Sequence, residues 1–167
     1  MSKVYVISDP HLGHKRIVDF GHREGTTSEE HDDWFRDNWK ATVTKRDVVW
    51  VLGDVAFTIP ALHSFGDLPG HKKLILGNHD EFPAHLYSAY FTVYPGLVRY
   101  KRTWLSHCPI HPQELRGLKN VHGHVHHNTV PDTDNYRNVC VDAAIDGKPI
   151  PFEHILEWRD QAPCKQP

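Results

Sequence analysis

Apolar residues along this chain fall in short runs, and each run ends on polar residues able to do chemistry. Lys3-Val4-Tyr5-Val6-Ile7 reads as a first strand. Asp47-Val48-Val49-Trp50-Val51-Leu52 is nearly continuous in apolar side chains, as expected of a strand covered on both faces. Lys72-Lys73-Leu74-Ile75-Leu76 supplies a third, short and buried. Between the first two, Thr27 and Glu30 have the spacing of a capping box. Trp34, Phe35, Asn38, Trp39 and Thr42 then recur at helical spacing, which predicts a helix packing an aromatic face on the core. Pro60 to Gly70 reads as a short, broken helical connection. A strand, a helix and another strand in this order predict right-handed parallel crossovers in the first half.

The pattern changes after residue 90. Pro83 to Tyr90 predicts a helix with Leu86, Tyr87 and Tyr90 inward. Phe91 to Tyr94, Leu97 to Tyr100 and Thr103 to Leu105 are β-prone runs separated by Pro95-Gly96 and Lys101-Arg102, the signature of an antiparallel meander. Gln113 to Arg116 reads as one helical turn closed by Gly117, and Asn120-Val121 runs into a histidine-dense stretch. Arg137 to Val141 predicts a further strand ending in Asp142, and Phe152 to Trp158 a final packing segment. The expected class is mixed α/β (α+β), with one domain over residues 1–160 and a polar tail at 161–167 containing Cys164.

The polar residues at the strand ends form clusters. The first run delivers Asp9 and His11, and in an extended segment residues two apart point the same way. The second ends in Gly53-Asp54 and the third in Gly77-Asn78-His79-Asp80. The meander closes on Ser106-His107-Cys108-Pro109-Ile110-His111, and the last cluster is His122-Gly123-His124-Val125-His126-His127. Taken singly each has a bland reading: Asp9-Pro10 starts a turn, Asp54 caps a helix, Gly-Asn is turn chemistry. Together they supply carboxylates, an amide and several imidazoles, and in open α/β sheets sites gather at the carboxyl ends of strands. Ligation by N and O without thiolate suits divalent Mn, Fe, Ni, Zn or Co, whereas Ca or Mg prefers more oxygen. The inventory exceeds one tetrahedral site and fits two metals sharing a carboxylate better.

Composition narrows the classes. Fifteen of the 167 residues are histidine, an excess that a metal site accounts for in part. The formal net charge is −2 with histidines neutral, so no overall positive field draws the chain to nucleic acid. No run reaches the length of a membrane span, and strand-like sequence from Lys3 leaves no room for a signal peptide. Three cysteines without paired spacing favour reduced thiols and a cytoplasmic setting, with Cys108 and Cys140 as small packing residues.

The ordered set Asp9-x-His11, Gly53-Asp54, Gly77-Asn78-His79-Asp80, His107 and Gly123-His124-x-His126 closely resembles the blocks of the calcineurin-like metallophosphoesterase superfamily, from Val4 to about Val141. The resemblance implies a sandwich of two mixed sheets flanked by helices. It also implies two divalent metals, one held by Asp9, His11 and His126 and the other by Asn78, His107 and His124, with Asp54 bridging. His107 is preferred to His111 for its block because it directly follows the Trp104-Leu105 run. His79 resembles the catalytic histidine, a general acid with Asp80 as orienting partner, while the cations activate a water for attack on phosphorus. After Gly53-Asp54 stand Val55-Ala56-Phe57, unlike the G-D-x-x-D-R-G pattern of the protein-phosphatase branch. The implied activity is hydrolysis of nucleotide-type or other small phosphate diesters. The alternatives are a phosphomonoesterase, a nuclease, or a non-catalytic scaffold like the retromer subunit. Candidate substrate contacts near the motif loops are His14, Arg16, His22, Arg23, Tyr136 and Arg137.

Overall fold

Two sheets and four helices account for the regular structure in the computed structural model, which describes residues 1–20 and 23–161. In chain order these are β1 (Val4–Ile7), α1 (Ser28–Thr42), β2 (Val48–Val51), α2 (Ile59–Ser64), β3 (His71–Ile75), α3 (Ala84–Ser88) and β4 (Thr92–Tyr94). They continue with β5 (Leu97–Tyr100), β6 (Thr103–Ser106), β7 (Lys119–His122), β8 (Tyr136–Asn138), β9 (Ile150–Pro151) and α4 (Phe152–Asp160). The first sheet runs β4-β3-β2-β1-β9, parallel apart from β9, which pairs antiparallel with β1. The second runs β5-β6-β7-β8, with only β5 antiparallel to its neighbour. The architecture is mixed α/β.

Strand alternation explains the layers. Tyr5, Ile7, Val49, Val51 and Leu74 face Phe35 and Trp39 of α1, Leu62 of α2 and Tyr87 of α3. Val6, Trp50 and Ile75 point the other way, with Leu52 just past β2, and meet Leu105 and Val121 of the second sheet and Phe152 and Ile155 of α4. Both faces of the first sheet are therefore covered, which is why β2 lacks polar alternation.

The capping signal at α1 is met one residue early. Thr27 Oγ1 accepts the Glu30 N–H at 3.2 Å, but the Glu30 carboxylate takes the N–H of Thr26 at 2.8 Å. The expected meander does not form as one unit. β4 joins the first sheet parallel to β3, and Pro95-Gly96 carries the chain across to the second sheet. Val93 packs toward the helices and Tyr94 into the inter-sheet core, so this strand is used on both faces. A Pro-Gly turn reads alike for a hairpin and for a sheet change. The strand expected through Val141 stops at Asn138, whose side chain accepts the Cys140 N–H at 2.9 Å. Residues 139–141 then stitch the sheets together: Val139 donates to His122, Ser8 to Val139, and Val141 to Ser8.

Burial and the nearby Asp80 carboxylate push the Tyr87 phenol up to about 12. An unfolded tyrosine titrates at about 10, so above that pH the unfolded chain releases a proton that the folded chain keeps, and stability falls as the pH rises. Tyr87→Phe is expected to flatten part of this alkaline decline in melting temperature between about pH 10 and 12. A slope identical to wild type would show that Tyr87 does not carry it.

Candidate metal centre

Five strands of the two sheets end beside one another, and each hands over candidate ligands. Asp9 and His11 follow β1, Asp54 follows β2, Asn78 and His79 follow β3, His107 follows β6, and His124 and His126 follow β7. The backbone that presents them is not extended. Asp9, His11, Asp54, His124 and His126 all lie in the left-handed region, with φ of 59°, 53°, 54°, 70° and 54°. The alternation expected to align Asp9 with His11 therefore does not operate. A tight left-handed turn brings Asp9 Oδ1 and His11 Nε2 together instead. Non-glycine residues held there cost free energy, and such strain concentrates at functional sites. Two glycines make room: a Cβ on Gly77 would overlap the Asp54 carboxylate, and one on Gly123 would overlap Ser8 and Asp9.

The side chains converge. Asp54 Oδ2 lies 3.6 Å from His11 Nε2 and 3.4 Å from His107 Nε2, and Asp9 Oδ1 lies 3.4 Å from His11 Nε2. His107 Nε2 is also 2.9 Å from Asn78 Oδ1 and 3.2 Å from His124 Nδ1. Asp9, His11 and His126 form one group able to hold an ion, and Asp9, Asp54 and His107 another. The other Asp54 oxygen accepts the His79 N–H at 2.9 Å. The other Asp9 oxygen accepts the His124 N–H at 2.8 Å and the Cys140 thiol at 3.0 Å.

The donor set fits cations. Asp9 is 0% exposed and Asp54 2%, and among the described residues neither carboxylate is paired with a lysine or arginine. Buried charges need a partner. Burial would raise the Asp9 carboxyl, yet hydrogen bonds and the facing imidazoles hold it well below the usual range, and Asp54 is lowered for the same reasons. Burial would push the His107 imidazole down, but its hydrogen bond to Asp54 and the charges of Asp9 and Asp54 raise it. Protons on imidazole thus stand where metal would compete for the lone pairs. Cys108 also lies within reach of His107 and His124, but burial and the nearby carboxylates push its thiol up, away from the thiolate a metal needs.

One buried assembly was not anticipated from the sequence. His126 Nδ1 lies 3.1 Å from Asp142 Oδ2, and Asp142 is clamped by Arg23 through Nε at 3.0 Å and Nη2 at 2.7 Å. The same guanidinium donates to the carbonyls of Asp9 at 2.7 Å and Pro10 at 2.9 Å. It thereby ties the loop after β1 to the imidazole of the last cluster. The hydrogen bond to Asp142 raises the His126 imidazole, and Asp142 itself is held low by His126 and Arg23 against its burial. The available signal was an aspartate at the end of a predicted strand, the feature already used for Asp9 and Asp54.

Other expectations are redrawn. Arg23, with its side chain 1% exposed, is a clamp between loops and presents nothing to a substrate. Asp80 does not touch the His79 ring: its carboxylate accepts N–H groups from Asp54, Val55 and Gly77 at 2.8, 2.9 and 2.8 Å, fastening the β2 and β3 loops. Tyr136 is buried, its hydroxyl donating to the Ile110 carbonyl at 2.7 Å. Arg16 is exposed and paired with Asp19, while Arg137 lines a separate cavity with His122 and Tyr136. His111 is exposed and caps the turn after it, so His107 is the histidine brought into the cluster. Cys140 is buried as expected. His14 stays at the site, edge-on to Phe57 at 4.5 Å, and Phe57 stands between His11 and His79 at 5.2 Å from each. His22 and residues 162–167, including Cys164, lie outside the described residues. No helix among the described residues is long and apolar enough to cross a membrane.

No family model matches the chain. A protein of unknown function from Aquifex aeolicus, solved as a crystal structure, superposes with a TM-score of 0.77 at 25% identity, covering 94% of this chain and 99% of that one. The Gene 66 protein of Mycobacterium phage L5 is 42% identical over 85 residues, a match spanning 48% of this chain and 41% of that protein. An uncharacterized protein of Methanocaldococcus jannaschii is 33% identical over 86 residues, about half of each chain. The Gene 66 protein of Mycobacterium phage D29 is 30% identical across 94% of this chain and 96% of its own length. The chain therefore belongs to the family of the Gene 66 protein of Mycobacterium phage D29.

Proposed function

We propose that this chain is a calcineurin-like metallophosphoesterase that hydrolyses small phosphate diesters with two divalent cations, manganese first among them. One observation carries the reading: Asp54 Oδ2 sits between His11 and His107, with Asp9, Asn78, His124 and His126 around them. Asp9, His11 and His126 would hold one cation, Asn78, His107 and His124 the other, and Asp54 both. Such a pair, when bound, neutralises phosphate charge and activates water at neutral pH.

The remaining chemistry belongs to the chain. His79 is exposed at the rim, its ring 5.8 Å from that of His11 and its backbone held by Asp54. From there its imidazole can give a proton to the leaving oxygen. Asp142, itself held by Arg23, engages His126 at Nδ1 and so orients the imidazole of a candidate ligand. Phe57 stacks on His11 and packs against His79, with His14 edge-on to the Phe57 ring.

The test measures metal content of purified protein, then hydrolysis of bis-p-nitrophenyl phosphate and p-nitrophenyl phosphate with Mn, Fe, Ni, Zn and Co. Metal-dependent cleavage of the diester above the monoester is expected. The reverse preference makes the chain a monoesterase, and absence of cleavage with two metals bound makes it a scaffold. Asp142→Asn keeps an acceptor for His126 but removes the charge that Arg23 and His126 share. Metal affinity is expected to fall about 10–100-fold by titration calorimetry, with some loss of stability from the unpaired Arg23. Unchanged affinity in a folded variant would restrict Asp142 to the fold.

A further inference from the structure

Rings continue outward from the metal cluster. His79, Phe57, His14 and Phe20 follow one another with centroid separations of 5.2, 4.5 and 5.9 Å. Phe20 ends this arc 55% exposed, a large apolar side chain left in water at the edge of a polar site. Across from it runs the loop that carries His126. Phe20, His126, His127, Asn128 and Asp142 line a half-open, mostly apolar cavity of about 250 Å³. His126 belongs both to this cavity and to the Asp9–His11 group. A larger cleft of about 670 Å³ is lined by Arg23, Trp34, Asp142, Asp146 and Lys148, and among the described residues no candidate metal ligand lines it.

We propose that the cavity between Phe20 and the His126–Asn128 loop is a subsite for the planar ring of a nucleoside-type phosphate ester. The ring lies against Phe20 while the phosphate reaches the cluster past His126. The inference rests on the phosphoesterase reading for the position of the phosphate. Three features select a flat ring over an alkyl chain. The cavity has room for one ring system and falls below the size of a site for a whole drug-like ligand. One wall is an exposed aromatic face, on which bases stack without regard to sequence. The opposite side carries Asn128, exposed, whose carboxamide can donate to and accept from the edge of a base. Because Phe20 is a solvent-facing residue of a short helical turn (Ile17–Phe20), nothing in the core depends on its ring.

AMP and ribose 5-phosphate share sugar and phosphate and differ only in the base, so their affinities isolate the subsite. Calorimetric titration of the manganese-loaded protein is expected to show AMP bound about tenfold more tightly than ribose 5-phosphate. Phe20→Ala should erase that ratio and Phe20→Trp should keep it. Equal affinity of the two ligands for wild type, binding of neither, or an undiminished preference in Phe20→Ala would each overturn the subsite. Diester hydrolysis with no preference for the base would sink the subsite alone. A base preference without hydrolysis of any ester would keep the subsite and sink the phosphoesterase reading.

Discussion

Replacing Asp54 by alanine is expected to strip both cations from the cluster and to lower diester hydrolysis on the order of 10³-fold or more. The reason is positional. Its Oδ2 is within 3.6 Å of imidazoles on two different loops, and its Oδ1 anchors the His79 backbone. On the proposed reading, loss of the side chain would remove a ligand common to both cations, and it frees the His79 backbone from its anchor. Asp54→Asn separates the two effects, since an amide oxygen can still accept the His79 N–H while the charge is gone. Metal per chain after gel filtration, with circular dichroism as the check on folding, decides the matter. A folded Asp54→Ala protein that retains two metals would refute the shared role.

His79→Ala is expected to slow esters with alkoxide leaving groups about 10²–10⁴-fold, and nitrophenyl esters much less. A nitrophenolate leaves without help, whereas an alkoxide must be protonated as its bond to phosphorus breaks. His79 lies at the rim with an exposed side chain and touches Phe57 and His11 only through ring contacts, so the variant should fold and bind metal as wild type does. The informative quantity is the dependence of rate on leaving-group acidity. Equal losses across the series would remove the acid role and leave His79 as a binding residue.

Much of this arrangement was legible because ligands in such a site must be particular residue types at the ends of particular strands. Asp9, His11, Asp54, Asn78, His107, His124 and His126 all lie in the strand-end clusters, the family resemblance singles them out, and the structure gathers them. The backbone that gathers them was not legible. Left-handed φ at aspartate and histidine has no strong local signal, unlike glycine, so Asp9 and His11 meet through a tight turn that strand alternation does not foresee. Arg23 shows a different limit. As a charged residue in a polar loop it resembled a substrate contact, and its true partner, Asp142, stands 119 positions away. Asp80 likewise looked like a partner for its neighbour His79, while its acceptors serve amides of another loop. Helices and the first three strands were set by local pattern, whereas the separation of β4 from β5 was a tertiary choice.

The bond from the His124 amide to Asp9 joins positions 115 apart, and Arg23 reaches Asp142 across a comparable span. During synthesis, a chain that has emerged only as far as β6 has β1 and β2 available but lacks the closing histidine loop and the Asp142 that orients it. Contacts this distant come late, after most of the loop-closure entropy has been met. On the proposed reading, cation loading is therefore expected to wait until the segment carrying His124, His126 and Asp142 has joined the first sheet.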